Sequence, residues 1–591
     1  LIPVDRVADA LRELGRALCQ VLLNVHSILS LHDEEEEREK MIGGEASSSS
    51  TVHRVVSSSL YLIFRTALVR FNTLLCCHDF AELKFDDVLA VIEMATRLRT
   101  FGRRHFGHCS MEISVSLEKQ SALFFSRQHM EKMDELRMFV ENEAFAVCPL
   151  PDNFCLFDLQ EFAFLRGARD DSQTSSPSHS SYDGLGEQLD FSPLSPDAPN
   201  PFEQSTDIQK PSTSKAGENG GHREEENGES EEKEINSSPR DRPSTTSPNL
   251  CNAALMVLRL LGRYIRMTSL LHSIADRSVV AITQLVDYYL YATVAYFARD
   301  GSEFCSPIPI RLERVLQRID ASIFQATTSH LPHPILSCAV QIQLADRLFA
   351  LPERIVAIES LEFVARQLDL TRPVIEGLCG EEGSQDAKSV QALHRFYSEV
   401  LACVPDVRVA IMNSLASRAL KLPLLVSTIS TTLWNVSELQ SKHSTYIDFL
   451  LQDLEVFSLR LQHSLLELPS ADDSLRVLLW ERVVETALRA LVHGYGQVGA
   501  RCSNEGRALM QLDVQHLAGR LEKMTGRKYT EQIAFVDAYV KAYYLPERNL
   551  EEWALTHREY TVEQVVSLLA AATHVSKKTR TRIINALNTV Q

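Results

Sequence analysis

Apolar residues recur along this chain with the period of α-helices almost from end to end. Val7, Leu11, Leu14, Leu18, Val21, Val25 and Ile28 alternate spacings of four and three, which puts all seven on one helix seam. The seam reads either as a docking stripe for a partner helix or as the inner face of an ordinary amphipathic helix, because Leu22, Leu23 and Leu29 broaden it. Leu60, Ile63, Phe64, Ala67, Leu68, Phe71, Leu74 and Leu75 repeat the period, and two or three further helices are expected before Pro149 and Pro151. From Leu250 onward, long periodic segments alternate with breaks at Pro307, Pro309, Pro332, Pro334, Pro352, Pro373, Pro405, Pro423, Pro469 and Pro546. Thr561 and Gln564 have the spacing of a reciprocal capping box at a helix start. No stretch alternates with period two, so the expected fold class is all-α, an elongated stack of antiparallel helical bundles.

Two stretches interrupt the pattern. Residues 167–249 are crowded with Ser, Pro, Gly, Asn and Glu and hold too few large apolar side chains to repay the entropy of ordering. Residues 33–50, with the Glu34–Glu37 run, Gly43, Gly44 and four consecutive serines, read as a shorter acidic loop. The expected organisation is therefore a heptad-patterned helix over 1–32, a disordered loop over 33–50, a helical bundle over 51–166, a disordered linker over 167–249 and a C-terminal helical domain over 250–591.

Composition sharpens this picture. The 591 residues are 45% hydrophobic and 23% charged, an ordinary balance for a chain that folds. The formal net charge is −18, which gives nucleic-acid binding by counterion release no global field to work with. The linker carries 7 basic and 17 acidic residues, a net of −10, so the folded blocks are much closer to neutral. The twelve cysteines form no Cys-x-x-Cys and sit mostly among apolar residues, the usage of reduced buried thiols in a cytosolic protein. The sequence opens at Leu1 without a charged leader and reads as an incomplete or processed chain. Val279–Ala298 is about as long as a membrane span, but Gln284 and Asp287 in its interior mark it as a buried helix of a folded domain.

Chemistry-bearing motifs are sparse. Gly494, Gly496 and Gly499 form a Gly-x-Gly-x-x-Gly, but a helix rather than a strand leads into it, the wrong context for a dinucleotide turn. His105, His108 and Cys109, with Cys76, Cys77 and His78, offer nitrogen and sulfur ligands, yet Gly102 and Gly107 disturb the helix that would align them. His330, His333 and Cys338 flank prolines in a loop. No metal, cofactor or catalytic residue is assigned, and a metal-dependent helical enzyme ranks last among the readings. The basic tail of His574, Lys577, Lys578, Arg580 and Arg582 is expected as a solvated face toward the C-terminus of the last helix. Within the linker, Asn200-Pro201-Phe202 favours a turn that holds Phe202 outward, like the Asn-Pro-Phe peptides recognised by EH domains. Ser176, Ser192, Ser195, Ser238 and Ser247 each precede Pro and are candidates for proline-directed phosphorylation.

Longer strings carry a resemblance. SNEGRALMQLD (Ser503 to Asp513) and FVDAYVKAYYLPERNLEEW (Phe535 to Trp553) resemble the C-terminal end of the syndetin family. LVDYYLYATVAYFARDG (Leu285 to Gly301), ERIVAIESLEFVA (Glu353 to Ala365) and DELRMFVENE (Asp134 to Glu143) are similar to the same family in the same order. The resemblance implies a non-enzymatic subunit of the endosome-associated recycling protein complex, a tether of helical rods related to the Golgi-associated retrograde protein complex. It implies sister tethering subunits and SNARE proteins as partners, with a small GTPase and EH-domain proteins as further candidates. It also implies a cytoplasmic protein held peripherally on recycling endosomes and trans-Golgi network membranes. Recycling of cargo to the plasma membrane is the implied role, with a link to dense-core vesicle maturation. A family member begins with a longer coiled-coil region that joins it to its sisters, and the Val7 to Ile28 seam is its remnant or its neighbour. An adaptor for cargo or a small GTPase, working outside a large assembly, is the alternative.

Overall fold

A computed structural model describes Pro3 and residues 6–42, 49–106, 110–165, 200–202, 248–299, 303–325, 331–379, 388–438, 442–468, 473–572 and 574–590. Among these residues there is no strand, and the fold is all-α, as the periodicity requires.

The first layer is α1 (Val7–Ile42), α2 (Ser49–Leu75), α3 (Phe85–Phe106) and α4 (Met111–Glu141). Phe64, Leu68, Phe71 and Leu75 of α2 point inward at helical spacing, against α1, α3 and α4. Next come α5 (Asn252–Leu270), α6 (Ala275–Phe297) and α7 (Ile310–Ile319). The stack continues with α8 (Leu351–Cys379), α9 (Lys388–Arg395), α10 (Val404–Ala419), α11 (Leu422–Thr431), α12 (Thr445–Leu466) and α13 (Asp473–Val498). It ends in α14 (Asn504–Thr525), α15 (Thr530–Ala542), α16 (Glu547–Thr556), α17 (Val562–Ala571) and α18 (Lys577–Val590).

One hydrophobic core runs through all of this, because α4 packs on α5 and α6 and joins the two sequence blocks on either side of the linker. Polar ties reinforce the junction: the Glu143 carboxylate accepts from the Ala253 amide at 2.7 Å, and the Cys148 amide donates to the Leu250 carbonyl at 2.8 Å. Phe125 meets Tyr264 edge to face at 5.0 Å. α6 is buried along nearly its whole length, with Asp287 inside it answered by Arg318 of α7 at 3.2 Å.

Five of the prolines sit where helices begin, at the cap of α7 and α16 and in the first turn of α8, α10 and α11. Pro373 departs from the expected break: α8 carries through it to Cys379, held by the buried Leu368, Thr371, Ile375 and Leu378 on both sides. The acidic run departs as well. Instead of ending at residue 32, α1 continues through Glu34–Glu37 to Ile42, with Arg38 reaching Glu34 at 3.8 Å and His32 reaching Glu35 at 3.9 Å. Glu is a strong helix former, and these i,i+3 and i,i+4 pairs compensate part of its self-repulsion. The expected capping box is present at α17, where the Thr561 hydroxyl accepts from the Gln564 amide and the Gln564 side chain accepts from the Thr561 amide at 3.0 Å.

Candidate functional site

The residues of the two C-terminal strings are interlocking parts of one junction. Ser503 caps α14: its hydroxyl accepts from the Gly506 amide at 3.1 Å and donates to the Val436 carbonyl at 2.8 Å. Gly506 is required there, because a Cβ would stand 2.1 Å from the Trp434 carbonyl oxygen. Arg507 lies 3.6 Å over the ring of Tyr543, the residue that caps the end of α15. Asp513 is fully buried and accepts from the Ser444 amide at 2.8 Å and the Tyr446 hydroxyl at 2.7 Å, which in turn meets Tyr495 at 2.8 Å. Burial raises the Asp513 carboxyl above its ordinary range, and those hydrogen bonds partly offset the rise. Tyr539 donates to the Gln564 carbonyl at 2.9 Å, and Phe535 stacks on Tyr560 at 4.7 Å. The chemistry of this network is structural: it locks α12 to α17 into one block.

The glycine motif belongs to the same packing. Gly494 and Gly496 lie in the last turns of α13, where added Cβ atoms would press on Ile429 and Tyr539, and Gly499 has φ +59 just past the helix end. The helix precedes the motif, so its amides do not face outward as a phosphate cradle would require.

Among the described residues no group of three His, Cys, Asp or Glu converges as a metal site. His108 and Cys109 lie outside the described residues, as does His330. His105 is in α3, His78 reaches Glu82 at 3.4 Å, and His333 meets Asp320 at 2.9 Å while stacking on Phe324. Burial pushes the Cys148 thiol to about 11 and Cys403 to about 12, so neither is a thiolate nucleophile at neutral pH. A groove of about 540 Å³ opens between α4 and α6, lined in part by Phe125, Met133 and Ala281. His129 closes its floor, donating from Nε2 to Gln284 at 2.7 Å and accepting at Nδ1 from the Tyr264 hydroxyl at 3.2 Å. Burial lowers its pKa, which leaves it a neutral structural imidazole.

The seam of α1 splits in two. Val7, Leu11 and Leu18 are buried in the domain's own core, Leu14 and Val25 are half-buried, and Val21 and Ile28 are 45% and 49% exposed. Leu22 and Leu29 replace them inside. A seam of period 3.5 rolls by roughly 20° per heptad around a straight helix, whereas Val7, Leu18 and Leu29 repeat every eleven residues. That eleven-residue spacing was the signal for the inner face. By length and composition Val7–His32 and Ser389–Ala419 are apolar enough to cross a membrane, and the second is mostly buried in the fold.

The basic tail also sits differently from expectation. Lys577 and Lys578 open α18 rather than close it, Arg582 pairs with Glu551, and Arg580 donates to the Ala572 carbonyl at 2.8 Å. The favourable helix C-terminus is thus that of the preceding helix, α17. Phe202 corrects a further expectation. Its ring is fully buried against α1 and α3 instead of pointing outward, because Gly15 leaves a slot for it. Ser176, Ser192, Ser195, Ser238 and Ser247 all lie outside the described residues.

Comparison with known proteins follows the same division. Residues 348–588 match the family described as Syndetin, C-terminal. The chain is 28% identical to the syndetins of Rattus norvegicus and Mus musculus over 655 residues, 99% of this chain and 66% of those proteins. It is 28% identical to the syndetin of Gallus gallus over 659 residues, the whole of this chain and 68% of that protein. The chain therefore spans just under two thirds of the length of its rat and mouse relatives.

Proposed function

Because this chain is a homologue of syndetin with a syndetin C-terminal domain, we propose that it is a non-enzymatic subunit of a membrane-tethering complex. The complex acts in endocytic recycling, returning cargo from recycling endosomes to the plasma membrane. The likeness along the whole chain, joined to a continuous helical stack, is what carries the reading. A tether needs reach and rigid docking faces, which stacked helices supply at about 1.5 Å per helical residue. Buried polar networks such as Tyr446–Asp513–Ser444 make those faces rigid by fixing one helix register.

In this reading the partners are sister tethering subunits and SNARE proteins, with a small GTPase as a further recruiter, and membranes are reached through them. Val21 and Ile28, exposed on α1, are the part of the seam left for a partner helix. Asn200, Pro201 and Phe202, once released from their seat against α1 and α3, serve an EH-domain protein, and the five Ser-Pro sites tune the linker by phosphorylation. The test is affinity purification of the protein from cells, with native mass and stoichiometric partners identified. Migration with other helical tether subunits, several-fold above 66.5 kDa, is expected. Migration near its own mass would refute the tether and favour a free-standing adaptor.

A further inference from the structure

The sequence places Asn200-Pro201-Phe202 in the middle of a long acidic linker, with nothing nearby to fold against. The structure nonetheless seats these three residues in a cleft between α1 and α3, using every recognition group they have. The Asn200 Oδ1 accepts from the Phe202 amide at 3.0 Å, which closes an Asx turn, while its Nδ2 donates to the Arg16 carbonyl of α1 at 3.3 Å. The Pro201 carbonyl accepts from Arg97 Nη1 at 3.1 Å. Arg97 is itself buried on α3 and aimed by Glu93 at 2.6 Å, so its guanidinium is fixed where the turn arrives. Phe202 is 0% exposed; its ring lies on Gly15, where a Cβ would come within 2.5 Å, and its centroid is 6.2 Å from that of Phe101.

We propose that the cleft formed by Gly15, Arg16, Arg97 and Phe101 is a binding site for an Asn-Pro-Phe turn, occupied by the chain's own residues 200–202 as an intramolecular latch. Each residue type is demanded by a separate contact. Asn supplies an acceptor for the turn and a donor for Arg16, which Asp cannot do at neutral pH. Pro fixes φ near −65° and brings no N–H into the cleft. Phe fills a flat slot that exists only because residue 15 lacks a side chain.

The latch has a regulatory consequence. A fully buried Phe202 is withheld from any outside domain that reads Asn-Pro-Phe, so docking and outside recognition exclude one another. Because the ligand is tethered, its effective concentration is on the order of millimolar, and a competitor must bind correspondingly tightly to open the latch. Opening would also uncover the Gly15 face of α1. The inference rests on the cleft geometry alone and stands apart from the tethering reading.

The test is a titration of a fluorescein-labelled peptide of residues 194–208 into the full chain, followed by anisotropy. The wild-type cleft is already filled. The Phe202→Ala chain, whose substitution leaves every helix residue unchanged, is expected to bind the peptide at least about tenfold more tightly than wild type. Gly15→Leu added to Phe202→Ala is expected to abolish binding. Should that double variant fail to fold, peptides carrying Asn200→Ala or Phe202→Ala give the same answer, since neither should bind. Equal binding to wild type and Phe202→Ala, or no saturation of the Phe202→Ala chain by about 1 mM peptide, overturns the latch. Loss of copurifying tether subunits would leave this titration unchanged, so the two readings fail separately.

Discussion

Arg354 is a fully buried charge, and replacing it tests how the C-terminal block is anchored to the rest. Its side chain is 0% exposed. Its Nε donates to the Phe349 carbonyl at 2.9 Å, and its Nη1 donates to the carbonyl of Phe297, the last residue of α6, with the Ile411 carbonyl of α10 at 3.5 Å. The charge therefore satisfies an orphan carbonyl at a helix C-terminus, where the macrodipole is negative. It also clamps a strained turn. Leu348, Phe349 and Ala350 have φ of 44, 55 and 62, three successive non-glycine residues in the left-handed region, each costing roughly 1–2 kcal/mol. Arg354→Met removes two charge-assisted hydrogen bonds of about 1.5–3 kcal/mol each and regains part of that because no guanidinium need be desolvated. The net expectation is a loss of about 2–4 kcal/mol, or very roughly 5–12 °C in Tm for a large domain. Trp434, Trp480 and Trp553 all lie beyond the turn, so urea unfolding followed by tryptophan fluorescence reads this block directly. Hydrogen exchange at residues 345–351 should accelerate in the same variant. Ala350→Gly is the converse, expected to gain up to about 1 kcal/mol because glycine adopts φ +62 without strain. If Arg354→Met loses less than about 1 kcal/mol and leaves exchange at Phe349 unchanged, the clamp argument is wrong.

Three further outcomes are expected. Burial raises the Asp287 carboxyl to about 6, against a smaller opposing pull from Arg318, so its contribution to stability is complete below about pH 4 and is lost as pH rises through 6. Asp287→Asn should flatten that slope and gain up to about 3 kcal/mol at pH 7.5; a steeper slope in the variant, measured by denaturation between pH 4 and 7.5, would refute this. Gly506→Ala must displace the Trp434 backbone and should cost about 2–3 kcal/mol, whereas Gly519→Ala in the same helix, with nothing within 4 Å, should gain about 0.5–1 kcal/mol. Thermal melts of the pair decide it, since equal effects would remove the close approach as the reason for Gly506. Thr561→Ala removes the hydroxyl half of the α17 capping box, leaving the backbone amide of residue 561 on the Gln564 side chain, and should cost about 1 kcal/mol by the same melts, with Thr561→Ser restoring most of it.

Local periodicity carried the reading of this chain as far as helices go and no further. The spacing of Phe64, Leu68, Phe71 and Leu75 was enough to place α2 and its inner face, because a 3.6-residue period is a property of neighbours in sequence. Thr561 and Gln564 were legible for the same reason. What escaped depends on partners far away. Nothing near residue 202 announces a slot at Gly15, nearly two hundred positions earlier, and no glycine flags the left-handed turn at Leu348–Ala350, which Arg354 holds from the next helix. Pro373 stays inside α8 because burial on both sides outweighs a missing amide, a comparison that no breaker rule contains.

The strings that carried the resemblance are instructive in this respect. Ser503 and Gly506 fix the start of α14 against the loop at Trp434 and Val436, Asp513 ties it to the start of α12, Tyr539 reaches α17, and Arg507 stacks on Tyr543. Residues that specify a helix-to-helix fit are constrained from two sides at once, and their types are correspondingly hard to exchange: no other residue replaces Gly506 against the Trp434 carbonyl, and a lysine at 507 would lose the planar stack on Tyr543. What made this chain recognisable is therefore the grammar of a rigid stack, and the physical content of the likeness is the fit of helix to helix.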